Sequence, residues 1–160
     1  MKRPIIVAFL SALILATTQA IALAEPFTYV NPRFGTVCTF PKEIFTDAQP
    51  EPANGDGQQW LASDGANLIC SGIINIDDET PKSFAAQEAA NTDAGARITY
   101  SRTGKDWVVL SGFKGGNIFY ARRLFGEDGV IRTVWIEYPA ALKSKYDPLV
   151  GPIAGSLQGP

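Results

Sequence analysis

The chain has 160 residues, with 14 Lys and Arg, 16 Asp and Glu, no His, and a formal net charge of −2. That balance excludes the usual nucleic-acid footprint, a basic face on a basic domain. The missing His excludes Ser-His-Asp and Cys-His nucleophilic centres, His-ligated zinc and the commonest general base near neutral pH.

Residues 1–24 read as a secretory signal peptide. Lys2 and Arg3 form a charged start, Ile5 to Ala16 an apolar stretch, and Ala22-Leu23-Ala24 an A-x-A cleavage site before Glu25. A spanning helix needs ~20 apolar residues, and this stretch ends sooner, at Thr17, Thr18 and Gln19. No Cys follows the cleavage point and no later segment approaches spanning length. Residues 25–160 are therefore expected to form a single α+β domain, periplasmic or secreted, with no membrane span after cleavage. Without Lys2 and Arg3, that domain carries 12 basic against 16 acidic residues.

Cys38 falls in a predicted strand from Phe34 to Phe40, and Cys70 in another from Ala66 to Ile74. In an oxidising compartment the first reading of two such cysteines is a disulfide, and two buried free thiols are the alternative. A reactive thiol is disfavoured because no His or adjacent basic residue lowers its pKa. Between the strands, Pro41 to Gln59 contains Pro41, Pro50, Pro52, Gly55 and Gly57, the chemistry of a turn-rich loop. Its segment Asn54-Gly55-Asp56-Gly57-Gln58 alternates oxygen ligands with spacers. A calcium loop would need Glu at the twelfth position, where Gly65 stands, so turn chemistry outweighs a weak metal site.

A short strand from Gln58 to Ala62 turns through Ser63-Asp64-Gly65 into the Cys70 strand. Thr80 as N-cap and Pro81 at the first position predict a helix from Pro81 to Asn91 that buries Phe84, Ala85 and Ala89. Asp77, Asp78 and Glu79 suit a solvated helix start better than a metal site. A strand from Arg97 to Arg102 precedes three antiparallel strands, Trp107 to Gly112, Asn117 to Phe125 and Val130 to Tyr138, separated by Gly-containing turns. The middle one sets Ile118, Tyr120, Arg122 and Leu124 on one face and Phe119, Ala121, Arg123 and Phe125 on the other. Both sets are largely apolar, so this strand is expected to be central and covered on both sides over at least part of its length. A last helix is predicted with Asp147 as cap and Pro148 at its start, carrying Leu149, Val150, Ile153 and Leu157 on one stripe. The expected architecture is a central antiparallel sheet of six or seven strands, ending in a meander and flanked by two short helices.

Several motifs carry a resemblance: Phe34-Gly35 with Phe40-Pro41 and Phe45, Asn54-Gly55-Asp56-Gly57 followed by Asp64-Gly65-Ala66, Ser111-Gly112 with Ile118-Phe119-Tyr120, and Tyr138-Pro139 with Tyr146-Asp147-Pro148. With the element order, they make nearly all of residues 25–160 resemble uncharacterised secreted proteins of alphaproteobacteria that share the fold of photosystem PsbP proteins and Mog-type Ran-binding proteins. The resemblance implies that fold and an exported location. PsbP proteins help assemble or stabilise a membrane complex, but none of their cofactor or partner contacts matches a position here.

Three functions remain open. The first is a non-catalytic module that binds a protein partner or assists assembly of an envelope complex. The second is a small-ligand carrier with a pocket between sheet and helix, lined by Trp107, Tyr120 and Trp135, with Arg123 and Glu137 as an ion pair or a polar spot. The third is a carboxylate-dependent hydrolase using Glu137 or another of Asp64, Asp77, Asp106, Glu127, Asp128 and Asp147. No mutually supporting acid, base and nucleophile favours the enzyme. No cofactor is expected: Gly112 to Gly116 joins two strands instead of opening a helix, so it makes no phosphate cradle.

Overall fold

The computed structural model describes residues 25–91 and 95–160. The expected signal peptide lies outside the described residues. The strands are β1 (Pro26–Val30), β2 (Val37–Pro41), β3 (Asp47–Ala48), β4 (Gly57–Leu61), β5 (Asn67–Ile74), β6 (Ala96–Thr103), β7 (Trp107–Lys114), β8 (Asn117–Phe125) and β9 (Val130–Pro139). The α-helices are α1 (Pro81–Ala90), between β5 and β6, and α2 (Lys143–Gly155), which follows β9 after a 3-10 turn at Ala140–Leu142.

The three C-terminal strands form the meander because their turns are built for it. Gly115 and Gly116 both take positive φ, 53° and 89°, so a two-residue turn joins β7 to β8 and sets Lys114 opposite Asn117. Every pairing in the large sheet is antiparallel, in the order β3-β4-β5-β9-β8-β7-β6. β1 and β2 form a separate two-stranded sheet.

One face of the large sheet carries the main core. There α2 packs on β9, β2 and β8, enclosing Leu68, Cys70, Val134, Ile136, Tyr138, Tyr146 and Ile153. Aromatic rings link the layers: Phe27 meets Phe40 edge-on at 5.4 Å, Phe40 lies 4.7 Å from Trp60, and Tyr138 stacks on Tyr146 at 5.0 Å. Cys38 of β2 is bonded to Cys70 of β5, tying the small sheet to the large one. On the opposite face α1 packs on β6 and β7 and seats Phe84 among Val108, Leu110 and Phe119. Thr80 caps α1 as expected, its hydroxyl accepting from the Ser83 N–H while the Ser83 hydroxyl accepts from the Thr80 N–H.

Three expectations need correction. Asp147 does not cap α2, which begins at Lys143 and holds both Pro148 and Pro152 inside it. An interior Pro costs about 3 kcal/mol, and the burial of Tyr146, Val150, Ile153 and Ala154 against the sheet offsets it. The Asp147 carboxylate instead accepts from the Tyr138 hydroxyl at 2.8 Å and pairs with Lys143. Ala89 is exposed, because α1 turns Phe84 and Ala85 toward the sheet and Ala89 away from it. Finally, β1 has no counterpart among the predicted strands.

Tyr146 is fully buried, and its hydroxyl donates to Asp64 Oδ1 at 2.6 Å, while Lys145 holds the other carboxylate oxygen at 2.6 Å. Hydrogen bonds from Lys145 and Tyr146 hold the Asp64 carboxyl below its ordinary range, and burial together with Asp64 pushes the Tyr146 phenol above its own. Asp64 thus contributes stability above about pH 4 that is lost as pH falls below it. Tyr146 contributes stability below about pH 10 that is lost above it, where the unfolded chain ionises and the folded chain does not. Urea midpoints measured across pH should fall at both ends, and Tyr146→Phe should flatten the alkaline limb; an unchanged alkaline limb would contradict this.

Candidate functional site

The pleat divides the five residues expected to line one pocket. Trp107 and Tyr120 share one face, since Trp107 pairs with Leu124 and Ser111 with Tyr120. Arg123, Trp135 and Glu137 share the other, where Ala121 pairs with Trp135 and Arg123 with Thr133. Arg123 and Glu137 make no ion pair. Glu137 stands opposite Phe119, and four residues of β9 separate it from Thr133, on the order of 13 Å along the strand. Its carboxylate accepts instead from Asn117 Nδ2 at 2.8 Å and Trp135 Nε1 at 3.2 Å.

Beneath α1, Trp135 and Arg123 help line a cleft with Glu88, Leu110, Lys114 and Phe119. Phe119 and Trp135 stack with their rings 2° from parallel and 4.8 Å apart. The Arg123 guanidinium lies 4.4 Å from the centre of the Phe84 ring, and its Nη1 is buried without a hydrogen-bond partner. Burial pulls its pKa down, while Glu88 and Glu79 work in the opposite direction. The cleft encloses about 70 Å³. Pockets for small molecules run to roughly 300–1,000 Å³, so this one suits water or a small ion.

The other face is open beyond β8. There β6 presents Arg97, Tyr100 and Arg102, β7 presents Trp107, Ser111 and Phe113, and β8 presents Tyr120 and Arg122. Trp107 lies between two guanidiniums, with Arg122 5.7 Å and Arg102 6.0 Å from its centre. Arg97 sits 5.1 Å over Phe113. Among the described residues none of these three guanidiniums has a hydrogen bond or ion pair, and Arg122 Nε is buried without a partner. No acidic residue of β6, β7 or β8 shares the face. Tyr100 is 50% and Phe113 40% exposed, which leaves ring surface free for a partner. Burial and Tyr100 push the Tyr120 phenol upward, and Arg122 opposes them. Sequence reasoning singles out Trp107 and Tyr120 but misses Arg97, Tyr100, Arg102 and Phe113. Alternation within each strand holds the signal, but only cross-strand register shows that these residues meet.

Of the seven carboxylates considered for hydrolysis, Glu137 and three others are tied to structural partners. Asp64 holds Tyr146 and Lys145, Asp128 holds Arg132, Asp147 holds Tyr138, and Asp56 bonds Asn54 within its turn. Among the described residues, no group of three or more His, Cys, Asp or Glu is placed to hold a metal ion, and no helix is long and apolar enough to cross a membrane. What the open face can do is bind: guanidiniums attract anions, and exposed rings supply contact area.

An antiparallel sheet with one helix on each face and a small second sheet is the α+β arrangement of PsbP-like proteins. The chain is similar to the solution structure of cyanobacterial PsbP (CyanoP) from Synechocystis sp. PCC 6803, with a TM-score of 0.60 and 11% identity over 91% of this chain and 99% of that one. At that identity the likeness concerns the fold alone. No protein-family model and no curated sequence matches the chain.

Proposed function

We propose that the protein is a non-catalytic accessory module of the cell envelope, exported by residues 1–24 and docking a protein partner through the open face of β6, β7 and β8. The observation that carries this reading is the set of three arginines, Arg97, Arg102 and Arg122, with no carboxylate partner on a chain whose net charge is negative. Unsatisfied guanidiniums beside exposed aromatics are what interface anchors look like, since Arg, Trp and Tyr dominate binding energy. The Cys38–Cys70 bond suits an oxidising compartment, and the PsbP-like fold is consistent with an accessory role.

Replacing Arg102 and Arg122 together by Glu should weaken capture of the native partner at least about tenfold, about 1.4 kcal/mol. The measurement is quantitative photo-crosslinking from a residue installed at Tyr100 in cells, compared with the same label at exposed Ile76. Capture at Tyr100 that is indifferent to both substitutions would sink the proposal. N-terminal sequencing of the working protein should begin at Glu25.

A further inference from the structure

β6 ends the large sheet, and its outer edge pairs with nothing among the described residues. The strand runs eight residues, and every side chain in it is at least partly exposed. The opposite edge strand, β3, has only two residues. An unpaired edge of this length is a template on which a second polypeptide can add a strand.

The edge is marked by charge. On the open face β6 carries Arg97, Tyr100 and Arg102; on the other it carries Ala96, Ile98, Ser101 and Thr103, without charge. The register shifts between Ile98 and Tyr100, and this bulge keeps Arg97 and Arg102 on the same face although five positions separate them. Gly112 makes the bulge possible, because a Cβ there would lie 2.0 Å from the Arg97 carbonyl oxygen. On β7 the partners of Arg97, Tyr100 and Arg102 are Phe113, Ser111 and Val109, spaced two and two. A regular strand added on the outside must keep the same spacing.

Resting on the docking reading above, we infer that β6 accepts an extended acidic segment of the partner as an added strand, with two carboxylates four positions apart facing Arg97 and Arg102 and an apolar or aromatic residue midway over Tyr100. Side chains directly opposite on paired strands are about 4.5–5.5 Å apart, which brings each carboxylate within reach of its guanidinium. Arg122 lies behind Trp107 and adds to the same field. A second copy of this chain is the wrong occupant, since self-pairing about the centre of β6 brings arginine to arginine. Single-stranded nucleic acid could use the rings and charges but cannot complete a main-chain ladder.

The test titrates the processed protein with a short peptide containing Glu-Val-Tyr-Val-Glu. Controls are a peptide with the two Glu three positions apart, one with Lys for Glu, and one N-methylated at alternate amides. Expected results are binding by the first peptide with slowed amide hydrogen exchange in β6, and at least about tenfold weaker binding by each control. Arg97→Glu/Arg102→Glu should reject the Glu peptide and accept the Lys peptide, which also shows that the variant folds. Equal binding of the N-methylated or three-spaced peptide, or absence of β6 protection, overturns strand addition. Tighter binding of a single-stranded oligonucleotide than of the Glu peptide, with β6 unprotected, also overturns it. If native capture at Tyr100 still depends on Arg102 and Arg122 in those cases, the docking module stands and only its mode falls; if it does not, both fall.

Discussion

Reduction of the Cys38–Cys70 bond should lower stability by roughly 3 to 4 kcal/mol and the melting temperature by on the order of 10 °C. Cys38 lies in β2 and Cys70 in β5, 32 positions apart in sequence. Cutting the bond frees the intervening loop in the unfolded chain, and the released entropy favours unfolding. Both cysteines are fully buried, and buried thiols behave as small apolar groups, so the native packing around them should survive. The loss is therefore expected to be mostly chain entropy, and Cys38→Ala/Cys70→Ala should reproduce it within about 1 kcal/mol. Urea unfolding with and without reductant measures it. A change under about 1 kcal/mol would contradict the chain-entropy account and point to residual structure in the reduced, unfolded chain.

Asp128→Ala should cost about 2 to 4 kcal/mol, and adding Arg132→Met should recover at least about 1 kcal/mol of it. Arg132 is a charged residue in the core, 2% exposed. Its Nη1 donates to Asp128 Oδ1 at 3.0 Å, and Nε and Nη2 donate to the Phe34 carbonyl at 3.2 and 2.7 Å. This guanidinium joins the β8–β9 turn to the loop between β1 and β2. Removing the carboxylate leaves a buried cation with only a carbonyl for company, whereas removing both leaves no uncompensated charge. The hydrogen bond from Arg132 holds the Asp128 carboxyl below its ordinary range, so a part of this contribution, reduced by solvent because the Asp128 side chain is 43% exposed, is present above about pH 4 and lost as pH falls below it. Chemical denaturation of the two variants against the parent at pH 7 checks the order. A double variant no more stable than Asp128→Ala would refute it.

Parts of this protein follow from local rules, and the amino-acid order alone determines them. β7, β8 and β9 begin where sequence reasoning puts them because β-branched and aromatic runs are separated by glycines that must turn. Thr80 and Pro81 start α1 for an equally local reason, since capping involves groups within one turn. Alternation along β8 is enough to separate Tyr120 from Arg123, because an odd number of positions divides them. Tertiary contacts decide the rest. The position of β9 between β5 and β8, the start of α2 ahead of its two prolines, and β1 beside β2 all depend on burial against distant partners. So does the candidate site. Arg97, Arg102, Trp107, Phe113 and Arg122 come from three strands, and only their register puts them on one face. Whether that face is open depends on where α2 rests, over β9 and β8. Periodicity tells each strand which residues share a side; only the assembled sheet tells which side meets solvent, because coverage depends on layers that no single strand encodes.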